Sequence, residues 1–153
     1  MNSNTTFPVD TKQASYLIHD IDTDIICLNF NNKIVAIVTQ IGKVGSLLQS
    51  IVTNPDGGSV NYDEFSVRSI EKIGEKYLVD TKFLLGNQTE TGSIYEIIAS
   101  QLCNLIVADN PMERRPVLLA LALDKSLFLN ENQRKLKDAI RCIPELIQDN
   151  KAW

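Results

Sequence analysis

At 153 residues, 44% of them hydrophobic, the chain is long enough for one globular domain burying ~68–70% of the surface its unfolded form exposes, so it needs no disulfide or metal to fold. A formal charge of -4, with no basic run longer than Arg114-Arg115, supplies no field for gripping phosphates, which argues against nucleic acid and an acidic membrane surface as partners. Cys27, Cys103 and Cys142 are odd in number and stand among apolar neighbours, the setting of buried free thiols in a reducing compartment.

Met1 to Asp10 are polar and lack the charged start and apolar centre of a signal peptide or anchor, so the chain reads as cytoplasmic or nuclear. Residues 1–12 read as a flexible N-terminus and 13–153 as a single domain. Ala14 to Ile21 and Thr23 to Phe30 predict two strands joined around Asp20 to Asp24. Asn31-Asn32 predicts a turn before a third strand, Lys33 to Thr39, because asparagine tolerates the left-handed backbone of tight hairpins. The three strands read as a meander. After the glycine-spaced stretch Gly42-Lys43-Val44-Gly45, a fourth strand covers Ser46 to Thr53 and stops at Asn54-Pro55-Asp56-Gly57-Gly58, the strongest breaker in the sequence. Dispersed apolar residues then predict a mobile loop at about 54–76, with room for an added strand near Phe65 to Ile70.

Tyr77 to Leu85 predicts a fifth strand, ended by Gly86-Asn87. Ser93 and Glu96 match a capping box, so a helix is expected to begin at Ser93, with Ile94, Ile97, Ile98, Leu102, Leu105 and Ile106 as the stripe facing the sheet. Val117 to Leu123 forms a strand without a polar residue. Asn130 with Gln133 repeats the capping pattern and opens a second helix, with Leu136, Ala139, Ile140 and Ile143 inward and an end or kink expected at Pro144. The order β-β-β-β-β-α-β-α describes an α+β two-layer sandwich, a five- or six-stranded, mostly antiparallel sheet with two main helices on one face.

Two helices of ~10–12 Å diameter cover one face of a sheet whose strands lie ~4.8 Å apart. Successive strand residues point opposite ways, so Ile34 to Val38 and Val117 to Leu123 place apolar side chains on both faces. An apolar face left uncovered marks a protein interface. Ile34, Ala36, Val38, Leu118, Ala120 and Ala122 are therefore the candidate core and dimer residues, and dimerisation through the sheet is expected.

Catalytic and metal chemistry find little footing. His19 is the single histidine, and no Cys or His stands at zinc-ligand spacing from another, so neither a metal nor a cofactor is expected. Asp20, Asp22 and Asp24 lack the glycine and closing glutamate of a calcium loop and read as a solvated turn. Gly42 to Ser46 invites an alternative reading as the turn of a small phosphate- or nucleotide-binding enzyme, but a Walker loop carries Gly-Lys-Ser/Thr into a helix, whereas here Val44 and Gly45 separate Lys43 from Ser46 and a strand follows. The glycines suit a strand connection better. The last helix sets Arg134, Lys135, Lys137 and Arg141 against Glu131 and Asp138; the plain reading is a solvated face, the functional one a contact strip for an acidic partner.

The run Val38-Thr39-Gln40-Ile41-Gly42-Lys43-Val44-Gly45-Ser46-Leu47, the strand end Thr81 to Gly86, the strand Pro116 to Leu123 and the closing helix with its terminal tryptophan resemble the proteasome assembly chaperone 3 family, in order over Ser15 to Trp153. Within the resemblance, Thr39, Gln40, Gly42, Lys43 and Gly45 form the motif turn, read as structural. The resemblance implies a non-catalytic chaperone that pairs with a homologous fourth chaperone or with itself, binds proteasome alpha-type subunits, promotes alpha-ring assembly of the 20S core particle and leaves before maturation. Lys43, Arg134, Lys137 and Arg141 are the candidate client contacts.

Overall fold

A computed structural model describes residues 8–53, 77–86 and 90–153. The loop expected at 54–76, its added strand near Phe65 to Ile70, and the first seven residues lie outside the described residues. The strands are β1 (Asp10–Ile18), β2 (Ile21–Phe30), β3 (Lys33–Thr39), β4 (Ser46–Val52), β5 (Val79–Leu85) and β6 (Val117–Ala122). Two helices, α1 (Glu90–Asp109) and α2 (Gln133–Asp149), complete the α+β sandwich in the expected element order. β1 already begins at Asp10, so residues 10–12 are paired strand rather than a loose start.

The β1–β2 connection is tighter than the sequence suggests. Ile18 pairs with Ile21 across the two residues His19 and Asp20, whose φ of 51° and 63° make the doubly left-handed hairpin turn that matches strand twist. Asp22 and Asp24 consequently stand on β2, not in a solvated turn, and Asp24 accepts a 2.6 Å bond from the Ser15 hydroxyl. The Asn31-Asn32 turn is in place between Phe30 and Lys33, yet neither asparagine has a positive φ. That hairpin end is held from outside instead: Arg115 Nη1 donates to Asn29 Oδ1 at 2.6 Å and to the Phe30 carbonyl at 2.7 Å.

The meander stops at β3. The sheet order is β1-β2-β3-β6-β4-β5, with β6 parallel to β3 and antiparallel to β4, so the last strand inserts between the third and fourth. β3 and β6 are thus the central strands, which is why their sequences carry almost no polar residue. Register assigns the faces. Ile34, Ala36 and Val38 align with Val117, Leu119 and Leu121 of β6 and with Ile25 and Cys27 of β2, and this face is buried beneath both helices. Cys27 Sγ lies 3.7 Å from the Ile147 carbonyl of α2, and the Thr81 and Ser100 hydroxyls bond at 3.0 Å between β5 and α1.

Helix limits and faces depart from the sequence reading. α1 begins at Glu90, leaving Ser93 exposed inside its first turn instead of capping it. Ile97 and Leu105 face outward, and Tyr95, Ala99, Cys103 and Val107 join Ile98, Leu102 and Ile106 inside. The helix is apolar around much of its circumference, so periodicity alone leaves its rotation open; Tyr95 sets it, accepting from the Leu123 N–H at 3.1 Å and meeting Phe128 edge to face at 6.3 Å. Asn130 lies in one of two short 3-10 turns, Lys125–Phe128 and Asn130–Asn132, and α2 follows from Gln133. The capping carboxylate is that of Asp124, which accepts from the Ser126 N–H at 2.8 Å.

α2 does not end at Pro144 but runs on to Asp149. A proline inside a helix costs ~3 kcal/mol. The turn beyond it recovers a comparable sum, because Ile147 is fully buried and a large apolar side chain gains ~1.5–3 kcal/mol on burial. Asn150 Nδ2 then donates to the Tyr16 hydroxyl at 2.5 Å, and Lys151 pairs with Asp109 at 2.7 Å, fastening the end of α2 to β1 and α1.

Arg115 holds the entry to β6. Besides its bonds to the β2–β3 hairpin, it forms a two-pronged pair with Glu113 at 2.8 and 2.7 Å, and the Glu113 side chain is only 10% exposed. The Arg115 guanidinium keeps the Glu113 carboxyl below its ordinary range against the opposing effect of burial. Glu113 therefore contributes stability above the unfolded carboxylate pKa of ~4.3, lost as pH falls through the lower folded value. Arg115→Met should cost about 2 kcal/mol at pH 7 and flatten that acid limb in denaturant titrations. An unchanged acid limb would show that the pair does not couple to folding.

Candidate functional site

The stretch that follows β3 is tightly held by hydrogen bonds. To reach β4 the chain must cross the end of β6, and Gln40 secures the crossing. Its backbone N–H donates to the Ala122 carbonyl at 2.8 Å, its Oε1 accepts from the Asp124 N–H at 2.9 Å, and its Nε2 donates to the buried Thr23 hydroxyl at 3.0 Å. Thr39 Oγ1 accepts from the N–H groups of Ile41 at 3.3 Å and Lys43 at 3.0 Å, closing the tip. Gly42 takes a φ of +67° at that tip. At Gly45 a Cβ would stand 2.2 Å from the Leu121 carbonyl oxygen, so only glycine lets the chain graze β6 there. Lys43 is exposed between two exposed apolar neighbours, Ile41 and Val44.

This geometry does not build a phosphate cradle. Ser46 opens β4 instead of a helix, and the amides of Ile41 and Lys43, which a phosphate would need, are taken by Thr39. Nor is a thiol nucleophile poised: burial pushes Cys27 up to about 11 and Cys103 up to about 12, and raises Cys142 as well. Among the described residues, no group of three His, Cys, Asp or Glu side chains is placed to hold a metal ion.

The expected contact residues fall into separate places. Arg134, Lys137 and Arg141 are exposed and, at spacings of three and four, lie along one face of α2. α2 starts at the same end of the sheet as the crossing turn, since Asp138 in its second turn lies 3.5 Å from His19 Nε2 on the β1–β2 hairpin. Lys43 and Arg134 therefore share that end, with Arg141 about two turns further along. The six core and dimer candidates divide. Ile34, Ala36 and Val38 are 0% exposed beneath the helices, whereas Leu118, Ala120 and Ala122 point to the opposite face beside Val35, Ile37 and Thr39, where Leu118 is half-buried and the small Ala120 and Ala122 side chains are buried among their larger neighbours. Ile26, Leu28 and Leu47 continue this second apolar face, on which neither helix packs.

Two features escaped sequence reasoning. The Gln40 clasp joins positions 84 residues apart, and its only local trace is a polar amide between an apolar strand and a glycine. The exposure of Ile41 and Val44 is marked only by their place in the glycine-spaced connection, against their apolar, β-branched character.

A family model described as Proteasome assembly chaperone 3 matches residues 36–148. Among curated proteins, the chain is 28% identical over 144 residues to Proteasome assembly chaperone 3 of Bos taurus, covering 94% of this chain and 93% of the relative. It is 29% identical over 134 residues to the Homo sapiens protein of the same name, covering 87% and 91%. Among solved structures, a chain from the crystal structure of a novel chaperone complex for yeast 20S proteasome assembly aligns over 92% of this chain and 99% of its own length, with a TM-score of 0.50 and 13% identity, a likeness of fold.

Proposed function

The chain belongs to the proteasome assembly chaperone 3 family, and from that premise we propose that it is a non-catalytic chaperone that binds proteasome alpha-type subunits and promotes alpha-ring assembly of the 20S core particle, leaving before maturation. The observation that carries the reading is the family match itself, which runs from β3 into the last turns of α2 and so spans the central strands and the crossing turn. It works in the cytoplasm or nucleus, paired through the open sheet face with a homologous fourth chaperone or with a second copy of itself. The apolar surface of Leu118, Val35 and Ile37 supports that pairing, since a face of this kind is ordinarily covered by protein. Client subunits are held transiently and released when a later subunit competes for the same surface.

Affinity purification of the tagged chain from its own cells should recover a chaperone paralogue and alpha-type subunits; recovery of neither would overturn the reading. Light scattering of the chain, alone and mixed with its paralogue, should show a two-chain species in at least one sample, and monomers in both would exclude pairing. For the client surface, charge reversal at Arg134, Lys137 and Arg141 together should slow association and weaken client binding about tenfold at low salt, because rim charges act on encounter more than on packing. Thermal stability should not move, as all three side chains are exposed. An affinity unchanged at low salt would remove these residues from the contact.

A further inference from the structure

Among the described residues nine large apolar side chains are exposed, and five of them, Leu17, Ile41, Val44, Leu84 and Leu85, lie at one end of the sheet. Register places them there: Leu17 stands opposite Asp22, beyond the Asp24–Thr39 pair that closes β2 on β3, and Leu85 stands opposite Leu47 at the start of β4. Ile41 and Val44 project from the crossing turn at 49% and 64% exposure. The turn is bonded from within by Thr39 and fastened below by Gln40, so its shape is set before any partner arrives and little conformational freedom is lost on contact. Lys43 is the only charged residue between Lys33 and Asp56, so the tip offers one cation framed by two branched apolar side chains.

We infer that this tip is a docking knob, with Ile41 and Val44 as apolar anchors, for an apolar recess edged by a carboxylate on the client subunit. The inference rests on the client reading above, and it assigns the knob to the client, not to the paired chaperone, which takes the open sheet face. The complement follows from charge and shape: the knob's lone cation calls for an anion, and its two anchors call for a dry hollow around it.

The test measures binding of the full chain, together with its paralogue, to purified alpha-type subunits presented one at a time. Ile41→Ser/Val44→Ser should weaken client binding ~30-fold or more, as loss of interface anchors does, without lowering the melting temperature or the chaperone pairing. Lys43→Glu should weaken binding less, with an effect that shrinks as salt is added. Met112→Ser removes a still more exposed apolar side chain from the loop before β6, at the other end of the sheet, and should leave binding unchanged. Wild-type client binding by the double variant, an equal loss with Met112→Ser, or a loss of chaperone pairing in its place would each overturn the inference. Failure of the unmodified chain to bind any alpha-type subunit would instead overturn the client reading, and the knob's assignment with it.

Discussion

Gly45→Ala should destabilise the chain by about 3 kcal/mol, at the upper end of ordinary overpacking costs. The added methyl would lie 2.2 Å from the Leu121 carbonyl oxygen and 2.8 Å from the Ala122 Cβ. Neither obstacle can swing aside, since one is backbone and the other is fixed to it. Relief requires β4 to draw away from β6, which breaks the pairing of Ser46 with Leu121 in the middle of the sheet. Gly42→Ala is the control: its Cβ would meet nothing within 4 Å, and only the left-handed backbone is penalised, by roughly 1–2 kcal/mol. Urea unfolding of both variants separates close approach from backbone strain. A Gly45→Ala cost no greater than that of Gly42→Ala would mean that the crossing is looser than its geometry implies.

Leu119→Ala should cost about 3–4 kcal/mol, because the residue is 1% exposed and its neighbours under the helices cannot collapse fully into the space. Its chain neighbour Leu118 should behave differently. Leu118 pairs with Val35 on the face opposite the helices and is only half-buried, so Leu118→Ala should cost the monomer less, about 1–2 kcal/mol, while weakening chaperone pairing. Denaturant melts at a concentration below pairing, set beside sedimentation at higher concentration, would read the two effects separately. Equal losses of monomer stability at both positions would contradict the division of β6 into a helix side and a partner side.

That division shows where sequence reasoning stops. Element types and their order were readable because strands and helices announce themselves locally, by runs of β-branched residues and by apolar spacing near 3.6. Turn and helix limits were less so. The capping pattern at Ser93 does not mark the start of α1, which begins three residues earlier at Glu90, and the break at Pro144 is overridden by the burial of Ile147. The left-handed turn fell on His19-Asp20, residue types that tolerate that backbone as asparagine does, and not on Asn31-Asn32, so residue type alone does not choose between the two hairpins. In the motif turn, the glycines pointed to an unusual backbone, but Gln40 gave no sign that its amide would bond Thr23 and Asp124 at once.

By itself, then, the sequence determined an α+β chain with two central apolar strands, a glycine-spaced crossing and a family resemblance now supported by the match over residues 36–148. These are properties of residues and their near neighbours. Only the tertiary structure decided that β6 inserts between β3 and β4, that Ile34, Ala36 and Val38 lie beneath the helices while Leu118, Ala120 and Ala122 face away, and that Ile41 and Val44 stand in solvent. The physical reason is strand geometry. A strand's alternation names two faces without saying which is covered, and that choice is made by the register of strands about 80 residues apart in sequence and by where the two helices come to rest.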